Sequence, residues 1–235
     1  MVVADAHAAA AEPAHRVIPR AVLFDLDGVL LDSRAAIVRC IQHGLRENGA
    51  PVPAATELER WIGPPLLDSF AVLAGPERAQ ACLASYRERY AHSSLLETTV
   101  VPGALAALAF VAARVPVAVA TSKPRAFAEP LCERLGLTPH LQAIVGPELD
   151  APEEIKAVTV TRALAALGLA PGAAAPLVGD RRHDAEAAHA NGIACVGVLW
   201  GIGDEAELRA AGAHPIVADP ADLPAALRLQ KDVLL

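Results

Sequence analysis

The chain has 235 residues, of which 54% are hydrophobic, 20% are charged and only 3% are aromatic, and its formal net charge is −7. The hydrophobic fraction is sufficient for a packed core and excludes a chain that is disordered throughout. The negative net charge disfavours nucleic acid as the main partner, because phosphate backbones are bound by basic surfaces, and the scarcity of aromatic residues disfavours a base-stacking surface.

The spacing of the cysteines and the composition of residues 1–20 predict the cellular compartment of the protein. The four cysteines form no Cys-x-x-Cys pair, which predicts free thiols in a reducing cytoplasm rather than a disulfide framework. Residues 1–20 lack the basic start and apolar core of a secretory signal, and we expect them to form a disordered tail. No apolar stretch has the length of a membrane span, so we predict a cytoplasmic protein with no membrane partner, as a monomer or weak homodimer.

The first predicted element is a buried strand over residues 21–24, an apolar run that ends in Asp25 and Asp27 with Gly28 directly after them. Such a strand is expected in the middle of a parallel sheet. Because side chains alternate along a strand, the two carboxylates point to the same side. They would repel each other at a buried strand end unless a cation neutralises them or one of them holds a proton. Mg²⁺, which prefers oxygen ligands, is one such cation.

Helical patterns then occupy most of residues 34–98. Helices are predicted over residues 34–48, 57–61, 66–73 and 77–92, and they are separated by breaks that contain proline or glycine. One break contains Gly63, Pro64 and Pro65, and it is compatible both with a plain interruption of the helix and with a substrate contact. We therefore predict an all-helical segment that is inserted after the first strand.

From residue 102 onward, helices and strands alternate. Strands are predicted over residues 115–120, 142–145, 174–178, 194–198 and 216–218, and helices over residues 103–114, 124–135, 153–167, 183–191, 205–211 and 223–230. This alternation is typical of an α/β fold, with a Rossmann-like three-layer core in which helices cover both faces of a parallel sheet. Ligands of such folds bind beyond the carboxyl ends of the strands.

Polar residues gather at the predicted strand ends. They are Asp25, Asp27, Thr121, Ser122, Lys123, Asp180 and Asp184, with Lys156 at the start of the helix that precedes the 174–178 strand. On a phosphate ester each type has a task. One carboxylate attacks phosphorus, another acid carries a proton, Mg²⁺ neutralises charge, and a hydroxyl and a lysine bind the non-bridging oxygens.

Each motif also has a purely structural interpretation. The first two aspartates could be an ordinary loop pair, and Thr121 with Ser122 could simply cap the helix that begins near Pro124. Lys156 could be a solvated helix residue. Asp180 and Asp184 could be a helix N-terminal acid pair that the helix dipole stabilises. Histidines in the 183–191 helix are expected on its surface.

From residue 21 to about residue 223 the chain resembles the haloacid dehalogenase superfamily of phosphohydrolases. The motifs that carry the resemblance come in order: Asp25-Leu-Asp27-Gly28, Thr121-Ser122-Lys123, Lys156 and Gly179-Asp180-Arg-Arg-His-Asp184. The resemblance implies an α/β core of residues 21–33 and 99–235, with a small helical cap of residues 34–98. Ile62-Gly-Pro-Pro-Leu66 and Gly197-Val-Leu-Trp-Gly201 are similar to the phosphoglycolate-phosphatase-like branch.

The resemblance implies a role for each aspartate of the first motif. Asp25 would be the nucleophile and a metal ligand. Asp27 would be the general acid and base, and would bind the metal through its main-chain carbonyl.

The later motifs would hold the phosphoryl group and the metal. Thr121, Ser122 and Lys156 would bind phosphate, and Lys156 would also contact Asp25. Asp180 and Asp184 would complete a Mg²⁺ site. Whether Lys123 takes part is left open.

We therefore expect a Mg²⁺-dependent phosphomonoester hydrolase that acts on a small phosphorylated metabolite such as phosphoglycolate. A 5′-nucleotidase and a phosphotyrosine-type phosphatase are alternatives within the resemblance. A sugar-phosphate mutase is less favoured. A dehalogenase is disfavoured by Asp27, because displacement of a halide needs no leaving-group acid at that position. A phosphonate hydrolase that uses a cap lysine is disfavoured, because residues 34–98 contain no lysine. A signalling receiver domain is disfavoured by the order of the acidic pairs.

Overall fold

The computed structural model describes residues 18–149 and 154–229. The predicted disordered tail, residues 1–20, lies almost entirely outside these ranges. Within them, no helix is both long and apolar enough to cross a membrane. The four cysteines are buried and free, as predicted.

The core is built on a six-stranded sheet in which every pairing is parallel. Its strand order is β5-β4-β1-β6-β7-β8, and a separate two-stranded sheet pairs β2 with β3. In chain order the strands are β1 (Val22–Phe24), β2 (Leu31–Asp32), β3 (Thr99–Val100), β4 (Val117–Ala120), β5 (Ala143–Val145), β6 (Leu177–Gly179), β7 (Cys195–Val198) and β8 (Ile216–Val217). Leu23 pairs with Ala118 on one side and with Leu177 on the other, so the strand that carries the first motif is central, as predicted.

Ten α-helices surround or cap this sheet in the described ranges. They are α1 (Arg34–Glu47), α2 (Ala55–Leu58), α3 (Leu66–Ala74), α4 (Pro76–Glu97), α5 (Ala104–Ala112), α6 (Arg125–Arg134), α7 (Lys156–Ala166), α8 (Arg182–Ala190), α9 (Glu205–Ala210) and α10 (Leu223–Ala226). Short 3₁₀ turns occur at Glu59–Trp61, Thr138–His140 and Pro220–Asp222.

Two apolar clusters on opposite faces of the sheet make the core a three-layer structure. Phe24 of β1 packs in one cluster with residues of α5, α6 and α10. Leu23, its neighbour in the strand, packs in the other cluster with residues of α7, α8 and α9. This alternation follows from the pleat of the strand, which sends successive side chains to opposite faces. The predicted α/β fold class is confirmed.

The helices α1–α4 form their own apolar cluster, in which Ile41, Phe70 and Tyr86 are buried. They lie between β2 and β3, whose antiparallel pairing brings Leu31 opposite Val100 and joins the two ends of the insert. This ribbon was not predicted, since two residues per strand are too few to produce an alternating pattern. The division at residues 34–98 stays a proposal, and we use the name cap for that segment.

Several helix boundaries differ from the prediction. Helix α4 continues to Glu97 rather than ending near residue 92. Helix α7 begins at Lys156 instead of residue 153, because Ile155 has an extended backbone with φ −69° and ψ 145°. Helix α10 ends at Ala226 rather than continuing toward residue 230. The start of α7 affects the site directly, since it places Lys156 at the first helical position.

Candidate active site

The turn after β1 brings the first motif against the end of β6. The backbone N–H of Asp25 donates to the carbonyl of Val178 at 2.9 Å and extends the parallel pairing by one residue. Gly28 follows with φ +85°, and a Cβ atom there would lie 2.3 Å from Oδ2 of Asp180. The glycine is therefore required both by its left-handed backbone and by the close approach of Asp180.

Three carboxylates meet at this edge. Ligand oxygens of Asp25, Asp180 and Asp184 lie within 4.8 Å of one another, and all three residues are buried. Asp180 accepts a hydrogen bond on Oδ2 from the backbone N–H of Ile202 at 2.7 Å, whereas its buried Oδ1 has no hydrogen-bond partner among the described residues. Hard oxygen donors with an unpartnered buried carboxylate atom fit a divalent cation such as Mg²⁺. The carboxylate of Asp27 is not part of this cluster.

Lys156 neutralises part of the cluster. Its Nζ lies 2.6 Å from Oδ1 of Asp25 and 2.7 Å from Oδ1 of Asp184. Burial alone would lower the pKa of Lys156, but the Asp184 and Asp25 carboxylates raise it above its ordinary value. The solvated-lysine interpretation is therefore wrong, because this ammonium is buried between two carboxylates.

Burial and mutual repulsion act against ionisation of the carboxylates. Burial raises the pKa of Asp25 to about 6, although Lys156 opposes the increase. Burial and the neighbouring charges of Asp184 and Asp25 also raise the pKa of Asp180. Carboxylates whose ionisation is opposed in this way are stabilised as anions by a cation placed among them.

Thr121 and Ser122 follow β4 at the same edge. The backbone N–H of Thr121 donates to the carbonyl of Val145 at 2.9 Å, and its Oγ1 accepts from the backbone N–H of Lys123 at 3.2 Å. Helix α6 has Pro124 at its N-cap, with no side-chain capping bond. The capping interpretation of Thr121 and Ser122 is therefore wrong. Both residues line the same cavity as Asp25, and the hydroxyl of Thr121 is buried beside it.

Asp184 has a structural contact as well as its place in the cluster. Its Oδ2 accepts a hydrogen bond from the backbone N–H of Arg181 at 3.0 Å, which stabilises the start of α8. A Cβ atom at Gly179 would lie 2.2 Å from the Cβ of Asp184, so the glycine allows the helix to approach β6 closely. The contact with Arg181 agrees with the helix-start interpretation, and the place of Asp184 in the acidic cluster is compatible with the predicted metal role, which stays a prediction.

A cavity of about 120 Å³ lies between these strand ends and the cap. The predicted Gly63-Pro64-Pro65 segment lines it, and so does Arg87 of α4. The remaining cap wall is mostly apolar. This position is compatible with the predicted contact between the segment and a substrate.

Besides carboxylate oxygens of the acidic cluster, two polar atoms of the lining residues are buried without a hydrogen-bond partner in the described part of the chain. They are Nε1 of Trp61, from the cap, and Nε2 of His183, from the start of α8. His183 was expected on the helix surface; its side chain is half-buried, with Nδ1 3.6 Å from Oε2 of Glu186 on the same helix, and the residue also lines the cavity. Burial lowers the pKa of His183 from its ordinary value. Such atoms are available to hydrogen-bond a ligand.

Sequence reasoning missed the contacts that join the cap to the core. Arg181 donates from Nη1 to the carbonyl of Ile62 at 2.6 Å and from Nε to Oε1 of Glu207 at 2.9 Å. Lys123 contacts both Asp27 and Tyr90. Lys123 was named in the Thr-Ser-Lys motif with its part left open, whereas no sequence pattern distinguishes Tyr90 from a core aromatic residue.

Comparison with known proteins is consistent with this geometry. The haloacid dehalogenase-like hydrolase family matches residues 22–198. A 5′-nucleotidase of Pseudomonas aeruginosa is 41% identical over 192 residues, which are 80% of this chain and 86% of that protein. A phosphoglycolate phosphatase of Yersinia pestis is 31% identical over 220 residues, 89% and 94% of the two chains. The crystal structure of a predicted phosphatase from Clostridium acetobutylicum superimposes with a TM-score of 0.85 at 30% identity, covering 91% of this chain and 100% of that one.

Proposed function

Because this chain belongs to the haloacid dehalogenase-like hydrolase family and is a phosphatase of that family, we propose that it hydrolyses a small phosphomonoester through an aspartyl-phosphate on Asp25. One observation carries the proposal. The carboxylate of Asp25 lies at the edge of the cavity together with the Lys156 ammonium, the Thr121 hydroxyl and the acids of β6 and α8. A nucleophile and the groups that stabilise phosphoryl charge are thus assembled in one place.

The reaction has two displacements at phosphorus. An oxygen of Asp25 forms a bond to phosphorus while the bond from phosphorus to the leaving oxygen breaks, and Asp27 donates a proton to that oxygen. Asp27 then takes a proton from water, whose oxygen attacks the phosphorus of the aspartyl-phosphate. Inorganic phosphate leaves and the Asp25 carboxylate is restored. Thr121, Ser122 and Lys156 hold the non-bridging oxygens in both steps.

Mg²⁺ would be held by Asp25, Asp180 and Asp184, together with the main-chain carbonyl of Asp27, and when bound it supplies positive charge against the phosphoryl oxygens. Lys156, at the start of α7, contributes a second positive charge beside Asp25 and Asp184. The cap excludes water while the leaving group departs.

Two leaving groups fit different parts of the cavity wall. The carboxylate of phosphoglycolate, the substrate expected from the sequence, would meet Arg87, the one charged cap residue that lines the cavity in the described chain. The nucleoside of a 5′-nucleotide would lie along the apolar segment of Pro64 and Pro65 and bond to the unpartnered atoms of Trp61 and His183. Most of the cap wall is apolar, which favours the nucleoside of a nucleotide over the carboxylate of phosphoglycolate. The relative at 41% identity is also named a 5′-nucleotidase.

The experiment is a panel of phosphate esters assayed for phosphate release with and without Mg²⁺. The panel contains phosphoglycolate, nucleoside 5′-monophosphates, sugar phosphates, phosphotyrosine and p-nitrophenyl phosphate. We expect Mg²⁺-dependent release and the highest kcat/KM for a nucleotide. Asp25→Asn serves as the variant, and we expect its activity to fall by more than about a thousandfold.

Three results would count against the proposal. Undiminished activity of Asp25→Asn would remove the nucleophile assignment. Isomerised sugar phosphate with little free phosphate would indicate a mutase. A preference of the wild-type enzyme for phosphoglycolate, lost in Arg87→Met, would show that phosphoglycolate rather than a nucleotide is the substrate class.

A further inference from the structure

Both carboxylate oxygens of Asp27 are held by side chains. Oδ1 accepts a hydrogen bond from the hydroxyl of Ser33, the residue directly before α1. Oδ2 lies 3.0 Å from Nζ of Lys123. Asp27 is therefore bound on one side by the first connection into the cap and on the other side by a lysine of the core.

Lys123 in turn contacts the cap. Its Nζ hydrogen-bonds the hydroxyl of Tyr90 in α4 and lies 4.6 Å from the centroid of the Tyr90 ring. Burial and the nearby Asp27 carboxylate raise the pKa of Tyr90 well above its ordinary value, so the hydroxyl is neutral and can accept this hydrogen bond. The chain of contacts runs from α4 through the Lys123 ammonium to Asp27.

The position of Tyr90 depends on the docking of the cap. Its ring packs edge-on against Phe127 of α6, in the core, with centroids 5.3 Å apart, and stacks on Tyr86 of α4 at 5.4 Å. The side chain of Lys123 is only 4% exposed. A buried ammonium is costly unless its partners compensate for the lost hydration, and here a carboxylate, a hydroxyl and a ring face do so. Two of those three partners are supplied by the cap.

We infer that Lys123 and Tyr90 are positioning residues that orient Asp27 for proton transfer to the leaving oxygen when the cap covers the core. This inference rests on the proposed acid–base role of Asp27. With Lys123 holding Oδ2, Oδ1 is the oxygen left to carry the exchanged proton, because the Ser33 hydroxyl on that side can accept as well as donate. Neither Lys123 nor Tyr90 transfers the proton itself.

A different role for Lys123 is direct contact with the substrate, since it lines the cavity. The two roles differ in a measurable way. A residue that acts through a general acid matters most when the leaving group is a poor one, because such a group departs slowly unless it is protonated. A residue that only binds substrate changes kcat/KM by one factor for every leaving group.

The test measures kcat/KM for phosphate monoesters whose leaving groups range from p-nitrophenol to a simple alkyl alcohol. The variants are Lys123→Met, Tyr90→Phe and, as a reference, Asp27→Asn. Tyr86→Phe is the matched control, because it deletes the neighbouring tyrosine hydroxyl, which forms no hydrogen bond with Lys123 in the described contacts. We expect Lys123→Met to lower kcat/KM for the alkyl ester about 10- to 100-fold and for p-nitrophenyl phosphate less than about threefold.

The dependence of log kcat/KM on the pKa of the leaving group gives a slope for each variant. Tyr90→Phe should change this slope in the same direction as Lys123→Met but to a smaller degree, and Tyr86→Phe should keep the wild-type slope. In an Asp27→Asn background, Lys123→Met should have little additional effect, because residues that act through one another are not additive. If Lys123→Met does not fold, the slope of Tyr90→Phe decides the question.

Equal losses for all leaving groups in Lys123→Met and Tyr90→Phe would overturn the inference, and so would full additivity with Asp27→Asn. A wild-type slope in Asp27→Asn itself would instead overturn the acid role, and the positioning role with it. A wild-type protein that hydrolyses no ester at all would refute the proposed function, which is a separate result from parallel slopes in an active enzyme.

Discussion

Nζ of Lys156 lies 2.6 Å from Oδ1 of Asp25, where α7 begins beside the end of β1. The same ammonium reaches Asp184 at 2.7 Å. A single cation thus links the proposed nucleophile with a proposed metal ligand from a different element. Because both carboxylates are buried and the lysine side chain is only 9% exposed, removal of the ammonium leaves two carboxylates without their cation.

Replacement of Lys156 by methionine should therefore affect both stability and activity. We expect a loss of about 3 kcal/mol in the free energy of unfolding without Mg²⁺, since two buried carboxylates lose their partner. We also expect kcat/KM to fall by about a hundredfold or more, because the phosphoryl oxygens lose a fixed positive charge. Urea unfolding and steady-state kinetics measure the two effects. Lys156→Arg, which keeps the charge, should recover part of the stability. Unchanged stability in Lys156→Met would show that the ammonium is not buried between the carboxylates.

Mg²⁺ should raise the melting temperature through the acidic cluster. At a Mg²⁺ concentration of about 100 Kd, binding to the folded state adds about 2.7 kcal/mol, which corresponds to about 5–10 °C for a chain of this size. Asp180→Asn should remove most of this increase. Asp204→Asn is the matched control, because Asp204 caps α9 through the backbone N–H of Glu207 and is no member of the cluster. It should lower stability slightly and keep the Mg²⁺ effect. A full Mg²⁺ effect in Asp180→Asn would place the metal elsewhere.

Gly201→Ala should damage the metal site through a steric contact. A Cβ atom at Gly201 would lie 2.2 Å from Oδ2 of Asp180 and would displace that carboxylate. We expect Mg²⁺ affinity and kcat/KM to fall by about tenfold or more. Gly136→Ala is the comparison, because Gly136 has φ +76° but no atom within 4 Å of an added Cβ. It should cost about 1 kcal/mol of stability from backbone strain and leave Mg²⁺ titrations unchanged. Equal Mg²⁺ affinities in the two variants would contradict this prediction.

Arg181→Met should weaken the contact between the core and the cap. Arg181 donates at 2.6 Å to the carbonyl of Ile62, beside the Gly63 segment. A hydrogen bond from a charged donor contributes about 1.5–3 kcal/mol, so we expect KM to rise about tenfold or more with a smaller change in kcat. Arg182→Met is the matched control, since Arg182 pairs with Glu186 at 3.3 Å on the exposed face of α8. Equal KM values in the two variants would show that Arg181 does not hold the cap.

Much of the core could be predicted from local patterns. The apolar run before Asp25 predicted a central strand, and β1 is paired on both sides. The alternation after residue 102 predicted the parallel sheet. Helix ends were less predictable, because the backbone at Ile155 and the length of α4 depend on packing against other elements.

The candidate site likewise contains residues that local patterns predicted and contacts that they did not. Asp25, Thr121 and Asp180 could be found because each directly follows a strand, and the carboxyl ends of parallel strands meet at one edge. The contact of Lys123 with Tyr90 joins residues 33 positions apart through the docking of two separate apolar clusters, and no local pattern encodes it. The same is true of the bond from Arg181 to the carbonyl of Ile62, which spans 119 positions.

The sequence by itself thus determined which groups stand at the sheet edge of the candidate site, because residue type and strand periodicity are local properties. Only the tertiary structure decided what each group faces. The approach of the cap brought Tyr90 against Lys123 and left Asp27 held from both sides. Contacts of that kind depend on how two packed bodies fit together, which is a property of the whole chain.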